Sequence, residues 1–291
     1  MELRGAITAM VTPFLPDGSV DYKGIESNVQ HQLDNGINGL LPLGTTGETP
    51  TLSMEEQEKV VQAVMGLAKG KVPIIVGTGS NSTAHTVEMS KKAQSWGADM
   101  VLVVTPYYNK PTNNGLYAHF KAVSDAISIP IVVYNIAGRT GKNIDTPTMK
   151  RIAELENVKY IKEASGDINQ MGDVINEIPN VTTLSGDDGM TLPLMALGGQ
   201  GVISVVSNLV PDRVVALTDA ALEGNWDEAR KLHFELLPLF KVAFIETNPI
   251  PIKAAMTMKG LAGGSYRLPM VEMEEQNKET LKQTLEEMKL L

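Results

Sequence analysis

Residues 100–105 read MVLVVT and residues 130–135 read PIVVYN. In both, apolar residues stand at consecutive rather than alternate positions. A strand with one face in water alternates; an unbroken apolar strand is buried on both faces, as in a parallel sheet flanked by helices. Outward from this pair the pattern recurs. Gly5–Val11, Gly39–Leu43 and Pro73–Gly77 precede it, and Val158–Glu163, Val181–Ser185 and Gly201–Ser207 follow. The segments between read as helices. Asp21 caps one that places Ile25, Val29 and Leu33 on one face, and Ser53 with Glu56 forms a capping box leading into Val60, Val64 and Leu67. Thr146–Pro147 reads as a cap with proline at the first helical position, and Pro211 opens the helix after the eighth strand.

Eight βα units in series predict an α/β protein, a (β/α)8 barrel. An open doubly wound sheet is the alternative, and its dinucleotide fingerprint needs Gly-x-Gly-x-x-Gly after the first strand. Positions 12–18 hold TPFLPDG instead. Past Gly224 the strand pattern stops. Trp226–Phe244, Pro251–Lys259 and Met273–Leu290 read as helices, the last with Leu281, Leu285 and Met288 on one face. The expected organisation is a catalytic barrel over residues 1–224 and a helical C-terminal extension over 225–291.

The 291 residues hold no cysteine, which excludes disulfides, zinc-thiolate sites and thiol nucleophiles. The net charge of −9 argues against nucleic acid and anionic membrane surfaces as partners. MELRGAITAM has neither the apolar core nor the cleavage site of a signal peptide, and the expected location is the cytoplasm.

Active sites of such barrels lie at the C-terminal ends of the strands. Those ends carry GTTGE at 44–48, TPYYN at 105–109, Tyr134-Asn135 with Arg139 beyond, Lys162-Glu163, Ser185-Gly186-Asp187, and Ile203-Ser204. Polar, aromatic and ionisable groups thus converge on one rim. Lys162 is the sharpest of them. Period two places it on one face with Val158 and Tyr160. If that face lines the barrel, apolar walls disfavour the ammonium. A free lysine titrates near about 10.4; brought to about 7–8 it becomes a nucleophile for a ketone. The competing reading is a lysine that snorkels to solvent or pairs with Glu163.

Tyr134 shares a face with Val132, and its hydroxyl suits proton transfer, although it also suits simple filling of the barrel top. Thr45 both donates and accepts, or is only a turn residue. Arg139 offers a fork for a carboxylate, or is a solvated loop arginine. His31, His85, His119 and His233 fall on expected helices without metal-ligand spacing, so no metal is expected. There is no Gly-x-Ser-x-Gly elbow, and GTTGET is not a Walker loop.

These residues also carry a resemblance. GTTGE at 44–48, VTPYYNKPT at 104–112, YN…GRTG at 134–141, IKEASGD at 161–167, SGDD at 185–188, GVISVVSN at 201–208 and ETNPIPIKAA at 246–255 make the chain similar, over almost its full length, to the dihydrodipicolinate synthase family of class I pyruvate-dependent aldolases. The resemblance implies condensation of pyruvate with L-aspartate-4-semialdehyde in lysine and diaminopimelate biosynthesis. Lys162 would form the Schiff base. Tyr134, Thr45 and Tyr108 would relay protons, Tyr108 reaching in from a neighbouring subunit. Thr46 would bind pyruvate's carboxylate and Arg139 that of the semialdehyde, with Gly186 and Ile203 lining the pocket. It implies no cofactor and no metal ion, and a homotetramer built as a dimer of dimers.

Four positions, in two departures, differ from the family pattern. Ala137 stands where proline is common, which predicts a less rigid loop around Arg139. Met54, Gln57 and His85 replace two histidines and a glutamate of lysine-inhibited members, although Asn81 and Tyr107 still match; weak or absent feedback by lysine is expected. The nearest alternatives are N-acetylneuraminate lyase and 2-keto-3-deoxy sugar-acid aldolase, which share the lysine and tyrosine. A non-catalytic carboxylate-binding barrel is the third.

Overall fold

The computed structural model describes residues 2–291. Eight strands form one sheet: β1 (Gly5–Ala9), β2 (Gly39–Leu41), β3 (Ile75–Gly77), β4 (Met100–Val104), β5 (Ile131–Asn135), β6 (Val158–Glu163), β7 (Thr182–Ser185) and β8 (Gly201–Ser204). All pair in parallel, in the order β2-β1-β8-β7-β6-β5-β4-β3. A parallel bridge from Leu40 to Ile74 joins β2 to β3 across the remaining seam. The result is the barrel expected from the unbroken apolar runs, because each strand buries both faces. Ile7, Leu41, Leu102, Val132, Leu184 and Ile203 fill the interior. Ala6, Leu40, Val101, Val133, Ile161 and Val202 face outward and pack against helices through Val61, Phe120 and Val214.

Strict alternation fails at one place. Along β5 and β6 the register runs Ile131↔Val158 and then Val132↔Tyr160, leaving Lys159 as an extra residue. Such a bulge reverses the facing of everything beyond it. Val158 therefore belongs to the outer layer, whereas Tyr160 packs against the interior. The expectation that Val158 shares a face with Lys162 is corrected, and Lys162 faces inward by virtue of the slip.

β8 is shorter than its apolar run because the buried Asp188 carboxylate accepts from the N–H groups of Val205 (2.9 Å) and Val206 (3.4 Å), which then cannot continue the ladder. Helix starts follow local chemistry. Asp21 accepts from Gly24 N–H at 2.9 Å, and Ser53 and Glu56 close their reciprocal box. At the helix Thr146–Ala153 the cap is Asp145, which accepts from Thr148 N–H, and Thr146 is already helical. Beyond the barrel run the helices Trp226–Val242, Ile250–Met258 and Glu275–Glu287. The last packs on the other two and buries Leu281 and Leu285. No helix among the described residues is long and apolar enough to cross a membrane.

Candidate active site

Tyr134 and Lys162 are register partners on neighbouring strands, both pointing into the top of the barrel. The Lys162 amine lies 4.1 Å from the centroid of the Tyr134 ring. Gly186, just past β7, closes the other side: a Cβ there would stand 3.0 Å from Lys162 Cε. Only 7% of Lys162 is exposed. Burial, opposed by the Asp188 carboxylate and aided by the Arg139 guanidinium, brings its amine down to about 7. A large share of the lysine is then neutral at physiological pH. The pairing with Glu163 that competed with this reading does not occur. Glu163 is the next residue on the strand and faces the other way, its carboxylate accepting from Ser165 N–H (2.7 Å) and Asn135 Nδ2 (3.1 Å). Burial also raises the Tyr134 hydroxyl above its usual range, so this group stays protonated and able to donate.

Above the amine is a cavity of about 50 Å³, lined by Lys162, Tyr134, Thr45, Thr46, Arg139 and Gly186 among others. One water needs about 10–15 Å³, so the space suits a molecule of a few heavy atoms. A larger cavity of about 590 Å³ adjoins it, sharing Thr45, Tyr134, Arg139 and Asn248, and it extends to Met54, Gln57, His85 and Tyr107. The smaller space holds the Lys162 amine.

Thr45 and Thr46 lie in a tight turn, Thr45–Gly47, immediately after β2. Thr46 is buried and its Oγ1 accepts from Asn248 Nδ2 at 2.9 Å. The threonine's own proton is therefore free to point elsewhere. Arg139 sits on the short helix Ala137–Thr140 and donates to the Asn248 carbonyl at 3.3 Å. That loop is braced by Thr140 Oγ1 to the carbonyls of Ile136 (3.0 Å) and Lys142 (2.9 Å). Neither contact involves the side chain of Ala137.

Two expected residues stand apart. Ile203 is buried in the barrel interior and does not border the small cavity. Tyr108 is 88% exposed at φ +70° and borders neither cavity of its own chain. Conversely, Asp188 and Asn248 border or hold this site although no local sequence pattern marks their side chains. Asp188 is fully enclosed, bonded by Ser204 Oγ at 2.5 Å, and burial lifts its carboxyl to about 6. Both lie in the quoted runs SGDD and ETNPIPIKAA, but no pattern tells which of two neighbouring aspartates is buried. The four histidines all fall on helices, and among the described residues no group of three His, Asp or Glu side chains is placed to hold a metal ion.

The sequence profile of the Dihydrodipicolinate synthetase family matches residues 2–288. A 4-hydroxy-tetrahydrodipicolinate synthase of Protochlamydia amoebophila is 49% identical over 99% of this chain and 97% of its own. The crystal structure of dihydrodipicolinate synthase from Thermotoga maritima superimposes with a TM-score of 0.98 at 46% identity, covering all of both chains. The Acinetobacter baumannii dihydrodipicolinate synthase, solved in complex with pyruvate, also gives 0.98, at 40% identity over all of both chains.

Proposed function

This chain belongs to the dihydrodipicolinate synthetase family, and we propose how its own residues run the family's reaction, the condensation of pyruvate with L-aspartate-4-semialdehyde to 4-hydroxy-tetrahydrodipicolinate. The neutral amine of Lys162 attacks C2 of pyruvate. Tyr134 donates its proton to the departing hydroxyl of the carbinolamine, water leaves, and an iminium remains. Loss of a C3 proton, returned through Tyr134 and Thr45, gives the enamine. Its C3 attacks the aldehyde carbon of the second substrate, whose oxygen takes a proton from Tyr134 to become the hydroxyl while the iminium re-forms. That substrate's neutral amino group then adds to C2, returning one proton to Tyr134; its second proton passes to the Lys162 nitrogen, which leaves as the free amine, so that the ring closes and the enzyme is freed.

Thr46, whose hydroxyl proton is left free by Asn248, binds pyruvate's carboxylate. Arg139, at the junction of the two cavities, holds that of the semialdehyde in bidentate fashion. Gly186 gives the lysine its room, and Ile203 supports the pocket from within the barrel. The exposure of Tyr108 supports its delivery to the site of a neighbouring copy, and with it a homo-oligomer, a tetramer built as a dimer of dimers. The barrel over residues 1–224 carries the chemistry, and 225–291 forms the helical extension.

The observation that carries this reading is an enclosed lysine brought to about 7 beneath a cavity sized for a small keto acid. Borohydride reduction in the presence of pyruvate, followed by peptide mapping, is expected to place the adduct on Lys162. Adduct on another residue, or full turnover by Lys162→Ala, overturns it.

A further inference from the structure

The turn that presents Thr45 is held from behind by an ion pair that takes no part in the chemistry above. Glu48 ends this turn in the left-handed region, at φ +51°, which a Cβ makes unfavourable. A conformation of that kind persists where its surroundings over-determine it, and here the side chain does so. The Glu48 carboxylate accepts from Lys253 Nζ at 2.6 Å and from Arg267 N–H at 3.4 Å. Lys253 is 0% exposed. Its other two protons go to the carbonyls of Thr12 (3.1 Å) and Ser265 (2.6 Å), and the rings of Phe14 and Tyr266 flank it at 4.6 and 4.9 Å. Every donor of the ammonium is used, which is the condition for a buried cation.

The placement along the chain adds to this. Asn248 and Lys253 lie five positions apart, at the start of the helix Ile250–Met258. The first grips Thr46 and the second grips Glu48. Thr12 adds a third hold, donating from Oγ1 to the Gly47 carbonyl at 2.8 Å. One short segment from outside the barrel thus holds the turn at two points, Thr46 and Glu48.

We propose that Lys253 is a positioning residue for the condensation: through Glu48 it sets the Thr45–Glu48 turn, and so aims the Thr45 hydroxyl into the cavity of Lys162. This rests on Thr45 relaying protons. Lys253 is too deeply enclosed to touch substrate, and Thr46 keeps its separate hold from Asn248, so the effect of Lys253 falls on turnover rather than on capture of pyruvate.

The test compares Lys253→Met and Glu48→Gln, singly and together, in wild-type and Thr45→Val backgrounds. The double Glu48→Gln/Lys253→Met leaves no charge buried alone and serves where a single variant does not fold. Misplacement of a catalytic group by about 1 Å costs on the order of 100-fold, so kcat is expected to fall about 10- to 100-fold. KM for pyruvate and the borohydride-trapped adduct on Lys162 stay near wild type. In the Thr45→Val background the same changes should have no further effect on kcat, since both act through one hydroxyl. A folded Lys253→Met, or the folded double, with wild-type kcat overturns the proposal. So do losses that multiply with Thr45→Val, which mark a merely structural role. Thr45→Val with undiminished kcat instead overturns the relay itself, and Lys253's part in it.

Discussion

The amine of Lys162 rests on the face of the Tyr134 ring, 4.1 Å from its centroid, rather than against its hydroxyl. Ring and hydroxyl therefore do separate things. The ring shields the amine from water and so disfavours the ammonium; in the proposed reaction the hydroxyl moves protons.

That separation can be measured. Tyr134→Phe keeps the wall and loses the donor, so kcat is expected to fall about 10²- to 10⁴-fold, while the pH at which the amine titrates stays put. Tyr134→Ala removes both, and the titration moves up towards that of an ordinary lysine. The rate of adduct formation with pyruvate as a function of pH checks this; a shift in the Phe variant as large as in the Ala variant would refute the division.

The sign of the pH dependence follows from the nucleophile. Only the unprotonated amine attacks, and Lys162 titrates at about 7. Adduct formation at limiting pyruvate should rise about tenfold per pH unit below that point and level off above it. The Asp188 carboxylate favours the ammonium. Asp188→Asn removes that charge, and the acid limb should move to lower pH. A move to higher pH contradicts the electrostatic assignment.

If Tyr108 serves a neighbouring copy, two dead variants should repair each other. Tyr108→Phe and Lys162→Ala are each expected to be nearly inactive. Mixed, dissociated and reassembled, they should regain activity that neither shows alone, because a mixed pair contains one site with Lys162 from one chain and Tyr108 from the other. Continued inactivity of a mixture shown to form mixed oligomers places Tyr108 outside the site.

Lysine should inhibit weakly or not at all. The cavity wall that includes Met54, Gln57 and His85 offers thioether, amide and imidazole groups, and the Glu48 carboxylate that also borders it is already paired with Lys253 at 2.6 Å, which leaves no free carboxylate there for a lysine ammonium. Half-inhibition is expected only at millimolar lysine or above, read from initial rates. Micromolar inhibition contradicts this.

Strands buried on both faces made the barrel legible, because a continuous apolar run has few other uses. Lys162, Tyr134, Arg139 and Thr45 were legible because ionisable and hydroxylic groups at strand ends are placed by the fold itself. Asp188, Asn248 and Lys253 were not. Their roles depend on contacts between segments far apart in the chain, such as Asn248 with Thr46 and Lys253 with Glu48, and local spacing carries no trace of those. The facing of Val158 was misjudged for a related reason: the extra residue at Lys159 exists only in the pairing with β5.

That extra residue divides β6 into two halves that keep separate count. The lower half, with Val158, is phased to the helices; the upper half, with Lys162, is phased to the reaction. Losing Lys159 would merge the two counts without turning the nucleophile, since Tyr160 already stands opposite Val132. The pairing at the barrel's mouth is thus set independently of the spacing at its foot.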